Sequence, residues 1–248
     1  MRASMLPLPS LLAAAGLAMV HLFAGKLRFL DAVPRSRWLS FAGGMSVAYV
    51  FVHLLPELVA AQEAVEHAAG EALGFLEHHV FLLALLGLTV FYGLERAAIL
   101  SRLRRSDSGE QDCTTPEVFW LHIASFCVFN FLIGYLLAQW EAEGLGWLAL
   151  FFLAMALHFV VNDYGLRQHH KDAYRHTGRW MLALTVFLGW GAGQAVRVSE
   201  AVLALPLAFV AGGVILNVLK EELPAERESR FWAFSLGVAI YAALLVAL

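Results

Sequence analysis

Long apolar runs, each closed by a short polar or basic stretch, recur along the whole chain. They fall near residues 8–26, 38–57, 79–99, 117–139, 147–166, 179–196, 200–219 and 231–248. Each is about as long as a helix that crosses the ~30 Å hydrocarbon core of a bilayer. The pattern predicts an all-α fold of eight spanning helices in a single transmembrane domain over 1–248. Spans one to three lie within 1–100, a hydrophilic loop covers 101–116, spans four and five lie within 117–167, and spans six to eight within 178–248.

Composition agrees and excludes a soluble domain: 60% of residues are apolar and 15% charged, with a mean hydropathy of +0.69. The net charge of -3 says little, because the charges are unevenly distributed. Cys113 and Cys127 suggest no disulfide framework. The basic residues set the orientation. Lys26, Arg28, Arg35 and Arg37 follow span one, and Arg96, Arg102, Arg104 and Arg105 follow span three. Arg167, Lys171, Arg175 and Arg179 follow span five, and Lys220, Arg227 and Arg230 follow span seven. Of the seventeen basic residues, that leaves only Arg2 and Arg197 on the other side. The positive-inside rule then puts the basic loops in the cytoplasm and both termini outside, as in a multi-pass inner (plasma) membrane protein. One positive charge precedes span one and four follow it, the reverse of a secretory leader, so span one is expected to stay as a helix.

The richest chemistry lies in span five, at His158, Asn162 and Asp163. Ionisable groups at hydrocarbon depth are costly and by default mark a functional site. His158 and Asn162 are i and i+4 and share a helix face. Asp163 points roughly 140° from His158, at ~100° per residue, and needs a different partner or water. Span four carries Cys127 and Asn130 near its middle; Cys127 is a candidate soft ligand, though a buried inert thiol is the commoner case. His21, alone in span one, is read as a packing or snorkelling residue. The outer loop from Glu57 to His79 has no Lys or Arg; Glu63, His67 and Glu71 share a helix face there, which could attract and weakly chelate cations but is read as a solvated helix. His169, Asp172 and His176 are i, i+3 and i+7 if helical, which would allow a weak metal site at a cytoplasmic mouth, but are read as a solvated loop; Pro56 is read as ending or kinking span two. Span two, with Ala42-Gly43-Gly44 and His53-Leu54-Leu55-Pro56-Glu57, is echoed by Ala211-Gly212-Gly213 and Glu221-Glu222-Leu223-Pro224 in span seven. The two run in opposite directions, which suggests an inverted repeat.

These features together resemble the ZIP (Zrt/Irt-like) family of divalent-metal transporters over nearly the whole chain. The family's metal site rests on His-Asn-x-Pro-Glu-Gly in span four and His-Glu-x-Pro-His/Glu-Glu-x-Gly in span five. Here the first appears as Phe129-Asn130-Phe131-Leu132-Ile133-Gly134, keeping Asn130 and Gly134 but with Phe129 and Ile133 at ligand positions. The second appears as His158-Phe159-Val160-Val161-Asn162-Asp163-Tyr164-Gly165, keeping His158 and Gly165, with Phe159 for a Glu and Asn162 at the second His/Glu position. Both motif prolines are absent, at Leu132 and Val161.

The resemblance implies a 3+2+3 inverted-repeat architecture, a homodimer, and facilitated transport of a divalent cation with no covalent chemistry. The ion, zinc or similar, is substrate and not cofactor. His158 would be the primary ligand, with Asn162, Asn130, Asp163 and Cys127 as further candidates. Neutral Asn oxygens leave much of a zinc ion's charge uncompensated, so altered selectivity is expected. The alternative is a ligand-depleted relative that binds or senses a partner without moving ions. No nucleotide-binding or hydrolytic motif is visible, and neither enzymatic activity nor a nucleic-acid partner is expected.

Overall fold

The computed structural model describes residues 7–26, 37–69, 79–109, 113–140, 144–222 and 230–247. Every regular element among them is helical. In chain order these are α1 (Leu8–Phe23), α2 (Arg37–Tyr49), α3 (Leu55–Ala69), α4 (His79–Asp107), α5 (Pro116–Trp140), α6 (Leu145–Ala173), α7 (Arg179–Ala195), α8 (Glu200–Glu222) and α9 (Phe231–Val246). A π-helical turn, Val50–Leu54, joins α2 to α3, and another, Tyr174–Gly178, joins α6 to α7.

Six helical runs are long and apolar enough to cross a membrane, Leu145–Ala195 counting as one run, and Phe231–Val246 is a shorter apolar helix. The surface is inverted relative to a soluble protein. Leu12, Leu82, Leu121 and Leu184 are exposed, whereas His21, Asn130, His158 and Asp163 are buried. With hydrocarbon as solvent, polar groups must find partners inside the protein. This is the make-up of a multi-pass membrane protein.

Several sequence boundaries need correction. The hydrophilic stretch expected as a loop from 101 begins as helix, because α4 continues to Asp107 through residues with no helix breaker. It ends where Gly109 takes φ +75°, a conformation that costs glycine little. The chain beyond is fastened down: Arg105 Nη1 donates to the Thr114 carbonyl (3.0 Å), and the Thr115 amide to Ser101 Oγ (2.9 Å). Residues 110–112 lie outside the described set. The polar stretch after span five is not a loop either. α6 runs on to Ala173 and reaches α7 through the π turn, with one break at Lys171 (φ 45°, ψ -113°). Pro56 does not end its helix. The π turn at Val50–Leu54 precedes it and α3 continues to Ala69, with Glu63 and His67 exposed on one face; Glu71 lies outside the described residues.

The helices pack into two units, neither contiguous in sequence. One comprises α1, α5, α6 and α7 with the end of α4; the other comprises α2, α3, the rest of α4, α8 and α9. Within each, paired glycines let helices cross at backbone contact. In the first unit, a Cβ on Gly134 of α5 would stand 2.1 Å from the Val186 carbonyl oxygen of α7. Reciprocally, one on Gly189 of α7 would stand 1.9 Å from the Phe131 carbonyl oxygen of α5. The second unit repeats this device twice, with Gly44 and Gly237 between α2 and α9, and Gly87 and Gly212 between α4 and α8.

Two glycines of the span-four and span-five motifs therefore differ sharply in role. Gly134→Ala is expected to lower stability by about 1–3 kcal/mol, because backbone must move to admit the methyl group. Gly165 has nothing within 4 Å of its missing Cβ. Gly165→Ala should be neutral or gain up to about 1 kcal/mol of helix propensity. Thermal melts of the two variants in one detergent check the ordering.

Candidate functional site

The site lies inside the first unit, where α1, α5 and α6 meet. Asp163 is 2% exposed, in the middle of a 29-residue helix, and an ionised carboxylate there requires donors. They come from α1. His21 Nδ1 lies 2.9 Å from Asp163 Oδ1 and 3.1 Å from Oδ2. On the other side of the ring, His21 Nε2 lies 2.9 Å from Asn130 Oδ1 of α5. Asn130 is held in that orientation because its Nδ2 donates to the Phe126 carbonyl at 2.8 Å, leaving Oδ1 as the atom facing the imidazole.

These contacts restrict the proton arrangement. Asn130 Oδ1 can only accept, so His21 Nε2 carries a hydrogen. A second hydrogen lies between Nδ1 and the Asp163 oxygens, at 2.9 and 3.1 Å. Whichever of the two groups carries it, the pair has no net charge. Phe159 lies against the His21 ring with ring centroids 4.5 Å apart. Phe129 follows Phe159 at 6.3 Å, and His158 follows Phe129 at 5.4 Å. An aromatic chain thus connects the two histidines.

The sequence candidates divide accordingly. Asn130 and Asp163 are brought together, through a residue that sequence reasoning passed over. His21 does not snorkel: it is 2% exposed and joins α1 to α5 and α6 through its two ring nitrogens. The available signal was the charge of Asp163, which demands a partner or water. His158 and Asn162 are both buried on α6, as their spacing predicts, and His158 Nε2 has no hydrogen-bond partner. Cys127 is half-buried, with its thiol beside Thr185 of α7. Among the described residues, no group of three or more His, Cys, Asp or Glu is placed to hold a metal ion.

A second buried cluster forms where the start of α5 meets the end of α6. His122 Nδ1 and His170 Nε2 face each other at 3.0 Å, so one hydrogen lies between them, and Thr114 Oγ1 bonds the far side of the His170 ring. His169, expected in a solvated loop, is buried, and its Nδ1 is 3.5 Å from Arg102 Nη1. Asp172 instead pairs with Arg175 at the surface, at 3.2 Å, and His176 is exposed beside Arg175. His169, Asp172 and His176 do not converge.

Arg179 Nη1 donates to the Leu22 carbonyl (3.4 Å) and Arg167 Nη1 to the Gly25 carbonyl (3.2 Å), which neutralises the carbonyl end of the helix that carries His21. Chemically the centre offers one carboxylate, one imidazole and one amide oxygen from three helices, with a second imidazole nearby. These groups are bonded to one another, and the centre contains no arrangement of nucleophile and base. No family model, curated protein or solved structure matches the chain.

Proposed function

We propose that this protein is a ZIP-like transporter of a divalent cation, with altered selectivity, built around the His21–Asp163–Asn130 centre and His158. The observation that carries the reading is the convergence of a carboxylate, an imidazole and an amide oxygen from α6, α1 and α5 on one buried point. In a membrane protein such a convergence is expensive, and its usual use is an ion pathway. The reading takes the chain as eight spans with both termini outside, in the inner membrane. It also accounts for two departures from the resembled motifs. Phe159, where the family has a glutamate, lies against the His21 ring, and Phe129, where it has a histidine, lies against His158.

A second reading, a ZIP-like protein that binds or senses without transporting, is favoured by a specific observation. Phe129 and Ile133, at two ligand positions, are buried apolar side chains, and no three-ligand metal cluster occurs among the described residues.

Uptake of divalent cations into vesicles holding the purified protein separates the two. If transport occurs and His158 is a ligand, His158→Ala should abolish it. Some stability should be lost with the buried ring's packing against Phe129, so uptake is compared at matched protein levels. Uptake unchanged at matched protein levels would remove His158 from the pathway. Absence of uptake by the parent protein would favour the second reading.

A further inference from the structure

Asp163 has a second donor within reach. Tyr174 is 3% exposed, and its hydroxyl faces Asp163 without attaining hydrogen-bonding geometry to it or to any other group. A buried hydroxyl left without a partner is costly and calls for an explanation. Three local features seat the tyrosine there. On a straight helix residues 163 and 174 stand about 16 Å apart along the axis, at 1.5 Å per residue, further than the side chain reaches. The break at Lys171 and the π turn after it change the direction of the chain. Gly178 leaves room for the ring, since a Cβ there would lie 2.9 Å from Tyr174 Cδ2. Positive φ at a lysine is strained, and strain of this kind persists where the surrounding structure imposes it.

We propose that Tyr174 is the alternate donor to Asp163, a positioning residue that takes the carboxylate whenever it parts from His21. The centre then has two arrangements: Asp163 held by His21, as in this structure, and Asp163 held by the Tyr174 hydroxyl. Its consequence for transport rests on the reading of His21, Asn130 and Asp163 as the cation centre. A cation approaching Asp163 competes with the His21 N–H, and a waiting hydroxyl reduces the cost of that parting by keeping one donor on the carboxylate.

The test is a double-mutant cycle that does not depend on transport. Tyr174→Phe alone should leave the melting temperature nearly unchanged, because the hydroxyl bonds nothing while His21 holds the carboxylate. His21→Ala should fold, with Tyr174 now on Asp163, and the ring Cζ resonance of Tyr174 should move. That resonance should stay in place in His21→Ala/Asp163→Leu, which leaves no acceptor at position 163. Combining His21→Ala with Tyr174→Phe should lower the folded-to-unfolded ratio by about tenfold to a hundredfold beyond the two singles taken together. The lost bond to Asn130 is common to both His21 variants and cancels in the cycle.

An additive cycle with an unmoved resonance overturns the proposal. So does a His21→Ala protein that fails to fold while Tyr174→Phe folds normally, since the carboxylate would then have found no second donor. A non-additive cycle in a protein that takes up no cation would keep Tyr174 in this role and remove the transport reading. An additive cycle with uptake intact would do the reverse. In the transporting protein, Tyr174→Phe should also raise the cation KM about tenfold with the maximal rate retained, a split that a purely structural role would not produce.

Discussion

Asp163→Ala is expected to destabilise the protein by roughly 3–5 kcal/mol, the cost of stripping a buried ion pair of one partner. The His21 ring nitrogens are bonded to Asp163 and Asn130, so removing the carboxylate leaves Nδ1 unpartnered in a buried site and, if the pair is ionised, strands the ring without a counter-ion. The alternative open to the ring, loss of its proton, returns the problem to Asn130 or to the emptied site. Removing both charges should cost far less. In His21→Leu/Asp163→Leu no charge is stranded, and the chief residual penalty is the unpaired Asn130 Oδ1, about 1–3 kcal/mol. Chemical denaturation in micelles measures both. A single mutant that costs under about 1 kcal/mol would show that the pair is not ionised.

The second large effect is a gain. Phe129 and Ile133 are each 2% exposed on one face of α5, and the Phe129 ring centroid lies 5.4 Å from that of His158. Neither side chain faces lipid. Phe129→His with Ile133→Glu should therefore place an imidazole and a carboxylate beside His158 and Asn162, a donor set that suits zinc far better than amides alone. The expected result is a zinc-dependent rise in melting temperature absent from the parent, worth about 2.7 kcal/mol when zinc stands at a hundred times its dissociation constant. Without a metal the introduced glutamate is a charge at membrane depth and costs roughly 2.5–3.5 kcal/mol. The double variant should thus be less stable than the parent in chelator and regain its stability in zinc. Loss of stability with no recovery in zinc would mean that these positions do not correspond to the family's ligands.

Hydropathy by itself determined the class of this protein and the position of its helices. A helix covers each of the eight apolar runs, because a backbone in lipid has no partner but itself. It also singled out Asp163 as a residue that needs a partner other than His158, or water, because it points roughly 140° away at ~100° per residue. The sequence pattern did not contain that partner's identity. His21 lies 142 residues away in sequence, and nothing in the local pattern distinguishes it from any lone histidine in an apolar run. Only the packing of α1 against α5 and α6 makes it the partner of Asp163. The helix ends after spans three and five were likewise misread, for a related reason. Arginines and histidines look like loop, but Arg105 bonds Thr114, and His170 bonds both Thr114 and His122, so the polar ends of α4 and α6 are stabilised by tertiary hydrogen bonds. Apolar burial repeats along the chain and can be read from it; pairing between polar groups is decided by where the helices cross.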